Sequence, residues 1–236
     1  MSTFVLVHGA WRGGWCWKRV RDRLQRAGHV AFTPTLTGLG ERSHLLARSV
    51  NLGTHIDDVV NLIRWEELDD LVLCGHSYAG AVVSGVADRI PERIRALVYL
   101  DAFVLENGEN VLENVHESQR AQLIEATKKL GRGWRAPPIP AAAFNVNAAD
   151  REWVDRQCTP HPYACFEEPL ALDGGIARIG TISYIFASDW QDTPFPRALE
   201  RARAKGWRIV SMACGHDVML DAPAELTREL LAAVSH

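Results

Sequence analysis

The 236-residue sequence has no apolar run long enough to make a membrane-spanning helix, so a helical integral membrane protein is not expected. It has no excess of positive charge: 26 Lys and Arg stand against 29 Asp and Glu, a formal net charge of −3. Neither nucleic acid nor an anionic membrane is therefore an expected partner. Cysteine is sparse, with residues at 16, 74, 158, 165 and 214 whose spacing fits no zinc site or disulfide framework. Buried free thiols in a reducing compartment are the expectation. The first residues, Met1-Ser2-Thr3 followed by Phe4-Val5-Leu6-Val7, have no basic region or cleavage signature of a secretory leader, so cytoplasmic residence is expected. Repeats, low-complexity tracts and cofactor fingerprints are also missing, and no metal or organic cofactor is expected.

What is present is the material of one large core: 47% hydrophobic residues with 23% charged. Strand-like and helix-like stretches alternate through the first half, the pattern of an α/β sheet. Phe4 to His8, Val30 to Thr33, Leu71 to Cys74 and Arg95 to Leu100 read as strands. Trp17 to Ala27 and Tyr78 to Arg89 read as helices, and Thr54 is a candidate helix cap. The rhythm breaks between about 104 and 178, where a helix from Glu117 to Leu130 precedes a Pro-rich stretch. So long a connection is better read as an inserted cap than as plain loop. Strands at Ile182–Phe186 and Trp207–Met212 then resume the core, with helices from Pro196 and Pro223.

The densest chemical signal is Leu71-Val72-Leu73-Cys74-Gly75-His76-Ser77-Tyr78-Ala79-Gly80. A G-x-S-x-A turn between strand and helix projects its serine into a crevice, and small residues relieve the backbone crowding. Ser77 is the candidate nucleophile, and needs a base to take its proton. His216, in the late loop Ala213-Cys214-Gly215-His216-Asp217, is the candidate base. His8-Gly9-Ala10-Trp11 follows the first strand, and the N–H groups of Ala10 and Tyr78 are the candidate oxyanion donors. Trp11 is the candidate substrate contact; His8 and His76 are assigned supporting roles.

These residues resemble the α/β-hydrolase superfamily, and more narrowly the bacterial esterase-like relatives of the plant methylesterase/hydroxynitrile lyase group. The resemblance rests on His8 to Trp17, on Gly75 to Gly80 with Ala79 in place of the usual Gly, and on Gly215-His216-Asp217. It implies one α/β-hydrolase domain over 1–236 with a mostly parallel sheet, flanking helices and a small cap. It also implies a buried pocket and no required cofactor.

The triad acid stays open. Where the group places Asp, this chain has Asp189-Trp190-Gln191-Asp192, with Trp190 in the expected slot. Asp101, directly after the strand that follows Ser77, offers an alternative seen in other α/β-hydrolases, and is preferred over Asp189 and Asp192. The expected reaction is hydrolysis of a small, hydrophobic or aromatic carboxylic ester through an acyl-serine. Amide or carbamate hydrolysis, hydroxynitrile-lyase-like proton transfer and a catalytically silent ligand-binding protein are the alternatives. A homo-oligomer is compatible with the sequence.

Overall fold

The computed structural model describes residues 1–190 and 193–234. Its strands are β1 Thr3–Val7, β2 Val30–Phe32, β3 Leu71–His76, β4 Ile94–Leu100, β5 Arg135–Ala136, β6 His161–Pro162, β7 Thr181–Ala187 and β8 Arg208–Met212. Its α-helices are α1 Lys18–Arg26, α2 Leu52–Trp65, α3 Ala79–Arg89, α4 Glu117–Leu130, α5 Arg151–Gln157, α6 Ala164–Glu167, α7 Pro196–Ala204, α8 Val218–Asp221 and α9 Pro223–Ala232. Six strands form one sheet in the order β2-β1-β3-β4-β7-β8, every neighbouring pair parallel. Strands β5 and β6 form a separate antiparallel pair.

The central strands explain their own sequences. All six residues of β3 are buried, as a parallel strand covered on both faces requires, so it reads as an unbroken apolar run rather than an alternation. Two of the outer helices bury one stripe each: Val20 and Leu24 on α1, and Ile56, Val59, Val60 and Ile63 on α2. The cap of α2 is Asn51, not Thr54 as the sequence suggested. Asn51 Oδ1 accepts from Thr54 N at 2.9 Å, while Thr54 Oγ1 accepts from Asn51 N at 3.4 Å. Thr54 thus closes a reciprocal capping pair from the third helical position, and Leu52 is free to bury its side chain.

Residues 101–180 leave the sheet and carry α4 to α6 with the β5/β6 pair. This interval comes back over the carboxyl ends of the strands. Trp11 Nε1 donates to Ala136 O at 3.1 Å, Thr159 N donates to Trp11 O at 3.0 Å, and His216 N donates to Phe144 O at 3.0 Å. All five cysteines are free thiols; Cys16, Cys74 and Cys165 are buried, whereas Cys158 and Cys214 are partly exposed. Among the described residues, no helix is long and apolar enough to cross a membrane.

Candidate active site

Ser77 sits directly after β3 with φ of +57°, and α3 begins two residues later. A serine held in the left-handed region marks a strained turn, kept in place by its surroundings. Two glycines allow it. A Cβ on Gly75 would lie 2.6 Å from Ala79 O, and one on Gly80 would lie 2.1 Å from Phe103 O. Ser77 N donates to Leu100 O, and Ser77 O accepts from both Gly80 N and Phe103 N, so the turn is tied to the end of β4.

Asp101 emerges from that same end of β4. Its own φ is +41°, a conformation that Asp tolerates better than most residues, and its N–H donates to Ile185 O at 2.7 Å. Tyr184 braces the turn from β7, donating from its hydroxyl to Ala102 O and accepting from Ala102 N. The carboxylate is fully buried: Oδ1 accepts from Ala187 N at 3.2 Å, and Oδ2 lies 2.7 Å from His216 Nδ1. Burial holds the imidazole well below its ordinary range and lifts the carboxyl above its own. One proton between Nδ1 and Oδ2 serves the pair, leaving Nε2 as acceptor.

Asp189 is exposed, with Ser188 Oγ as a hydrogen-bond partner at 3.3 Å, and does not meet His216. Asp192 lies outside the described residues. Trp190, in the slot where the family resemblance expected an acid, covers the His216 ring at a centroid distance of 4.4 Å and donates from Nε1 to Ala143 O. His76 supports the opposite side: its Nε2 donates to His216 O at 3.0 Å, and the rings lie 4.4 Å apart.

The loop after β1 closes the site. His8 Nδ1 donates to Gly9 O at 2.8 Å while its Nε2 accepts from Leu36 N at 3.0 Å, which sets the path of the loop. A Cβ on Gly9 would come within 2.9 Å of Ser77 Cβ, so only glycine lets the loop approach so closely. Among the described residues, the N–H groups of Ala10 and Tyr78 have no protein acceptor. Gly9, Ala10, Trp11, Ser77, Phe144 and His216 line one cavity of about 10 Å³.

Sequence reasoning missed an ion pair at the wall of this cavity, which Arg12 also lines. Arg12 donates from Nε to Asp217 Oδ1 at 3.2 Å and from Nη2 to Asp217 Oδ2 at 2.8 Å, with both side chains buried. Burial alone would raise the Asp217 carboxyl, yet the charge and hydrogen bonds of Arg12 hold it down at about 2. The guanidinium also packs over Phe144. The pair therefore bolts the loop carrying Ala10 and Trp11 to the loop carrying His216. Its only trace in the sequence was a charged residue inside each of two otherwise apolar loops. Arg12→Met strands a buried carboxylate and is expected to destabilise the fold by about 3–5 kcal/mol. Chemical denaturation checks this, and the double variant R12M/D217L is expected to recover most of the loss. Equal instability of the double variant would show that packing, not the stranded charge, sets the cost.

Residues 4–229 match the model of the alpha/beta hydrolase family. The chain is 46% identical over 243 residues to a carbendazim hydrolyzing esterase of Nocardioides sp. (strain SG-4G), covering 98% of this chain and 99% of that protein. It is 25% identical over 253 residues to salicylic acid-binding protein 2 of Nicotiana tabacum, covering 97% and 95% of the two chains. An extracellular alpha/beta-hydrolase from a Paenibacillus species shares the fold, with a TM-score of 0.86 at 22% identity over 99% of each chain. With the parallel sheet, the family match over 4–229 and an end-to-end relative at 46% identity, the chain belongs to the alpha/beta hydrolase family.

Proposed function

We propose that this protein is a serine carboxylesterase acting on small esters through an acyl-enzyme. The observation that carries the reading is convergence: Ser77 and His216 share one cavity with the loop of Ala10, and Asp101 is hydrogen-bonded to the far side of His216. His216 Nε2 takes the Ser77 proton as Oγ attacks the ester carbonyl. Asp101 keeps the imidazole in the tautomer that can do so and balances its charge once protonated. The N–H groups of Ala10 and Tyr78 donate to the oxyanion that develops. His216 then protonates the leaving alcohol, and water attacks the acyl-serine with the same histidine as base.

Residues 104–178 act in this reading as a cap on the single domain. A cavity of about 10 Å³ has room for roughly one water molecule. An ester therefore enters only when Trp11, Phe144 or the segment behind them gives way, and Trp11 forms a wall of the opened pocket. The aromatic lining favours hydrophobic or aromatic esters.

The test is trapping. The protein is mixed with a chromogenic ester and with carbendazim, quenched before one turnover, and digested for mass spectrometry. A burst of product with an acyl group on the peptide containing Ser77 is expected. Turnover with no burst and no acylated serine, or labelling on another residue, would overturn the mechanism and favour proton-transfer chemistry.

A further inference from the structure

The interval after β4 meets the first half of the chain at a second buried cluster. His55 on α2, His161 on β6 and Cys165 on α6 each bring a ligand-capable atom within 4.8 Å of the other two. Among the described residues this is the one such group of His, Cys, Asp or Glu. His55 Nε2 donates to Thr37 O at 2.9 Å, which fixes the tautomer; its Nδ1 lone pair accepts from the Tyr78 hydroxyl at 3.0 Å and lies 3.6 Å from Cys165 Sγ. A backbone carbonyl on the far nitrogen is the arrangement that aims and strengthens a metal-binding imidazole.

His161 supplies the independent observation. It is fully buried, and among the described residues its Nε2 has no hydrogen-bond partner. A buried polar atom with no partner calls for an explanation. Its Nδ1 receives only the long 3.4 Å bond from Trp11 N. Stacking on Phe166 at 4.5 Å and edge contact with Tyr78 at 4.7 Å hold the ring in place.

We propose that His55 Nδ1, His161 Nε2 and Cys165 Sγ form a binding site for a borderline-soft divalent cation, Zn²⁺ being the type, clamped between α2 and the interval over the active site. Two imidazoles and a thiolate are a donor set that suits this cation and excludes hard ions such as Mg²⁺ and Ca²⁺. The Tyr78 hydroxyl gives up its hydrogen bond to His55 Nδ1 as the cation binds, and then stands beside a fourth position. Binding conserves electrons and releases one proton. The Cys165 S–H bond breaks as the metal–sulfur bond forms, and its proton goes to solvent. The His161 Nε2 proton passes to Nδ1 as Nε2 takes the cation. Of the nearby carboxylates, Glu168 faces the net charge left by a divalent cation and one thiolate, whereas Asp58 is already paired with Arg42. Glu168 accepts from Gly53 N and Asn51 Nδ2; Asp58 accepts from Thr37 and from Arg42.

A consequence follows for the esterase, and it rests on the reading given above. A proton on His161 Nδ1 faces the Trp11 N–H donor, so metal binding pushes on the loop that carries Ala10. Tyr78, whose N–H is the second oxyanion donor, has its hydroxyl in the same cluster. Zn²⁺ is therefore expected to inhibit.

Metal-stripped full-length protein is titrated with Co²⁺ alone. One equivalent is expected to give visible d–d bands of a four-coordinate ion and a near-ultraviolet thiolate-to-cobalt charge-transfer band, both removed by Zn²⁺. Cys165→Ala is expected to lose the charge-transfer band, and His161→Gln, which removes a ligand itself, to weaken binding by at least roughly 100-fold, the upper end of what loss of an outer partner costs. Retention of the charge-transfer band in a folded Cys165→Ala protein would place the ion on another cysteine and overturn the site. X-ray absorption of the Zn²⁺-loaded wild type needs no variant: a sulfur at about 2.3 Å with nitrogens at about 2.0 Å is expected. A coordination sphere without sulfur would overturn the proposal. None of these readouts uses ester turnover, so a protein that binds Co²⁺ this way but fails to acylate Ser77 would refute the esterase reading alone.

Discussion

Ser77→Ala is expected to lower kcat by about 10⁶-fold while leaving the fold intact. Alanine removes only the hydroxyl and leaves the main-chain bonds of the turn in place. The φ of +57° is already paid for by the ties to Leu100, Gly80 and Phe103, which are main-chain bonds and survive the substitution. His216→Ala is expected to cost about as much, and the double variant no more than either single one, because nucleophile and base act as one unit. Steady-state kinetics on a chromogenic ester, with circular dichroism to verify folding, measure all three. Loss of less than tenfold in Ser77→Ala would remove Ser77 from the chemistry.

Asp101→Asn is expected to lower kcat by about 10⁴-fold, with Asp189→Asn close to wild type. The size of the effect follows from how the carboxylate is held. Oδ1 accepts from Ala187 N and Oδ2 faces His216 Nδ1. An asparagine there has one acceptor oxygen, and the buried Ala187 N–H claims it. The amide NH₂ is then turned against His216 and forces Nδ1 to accept, so the proton resides on Nε2. An imidazole in that tautomer cannot take the serine proton. Asp189, exposed and bonded to Ser188, exerts no such control. A normal kcat in Asp101→Asn would show that the 2.7 Å contact is structural. Comparison of kcat with KM sharpens the result, since a tautomer change acts on the acyl-transfer step and not on substrate capture.

How much of this was legible in the sequence differed from one residue to the next. The strand–turn–helix around Ser77 could be read directly because its requirements are local. An apolar strand, small residues at 75, 79 and 80, and a helix beginning at once are all written within ten positions. Helix α4 likewise runs Glu117–Leu130, as its flanks announce. The start of α2 was misread for an equally local reason: Asn51 and Thr54 are both good caps, and only the burial of Leu52 selects between them. The partner of His216 was a different kind of question. Asp101 and His216 are 115 positions apart, and three aspartates competed for the role, two of them displaced from the slot the resemblance gave it. The Arg12–Asp217 pair spans 205 positions and left no spacing to read.

The sequence by itself determined that Ser77 would stand at the exit of a buried parallel strand, because apolar runs, small residues and turn chemistry act between near neighbours. Only the tertiary structure decided which carboxylate faces His216, why a tryptophan occupies the expected acid slot, and that His55, His161 and Cys165 share one buried space. Those contacts depend on sheet order β3-β4-β7-β8 and on the path of the interval over it. A strand order brings distant residues together through packing of the whole core, and no local preference records it.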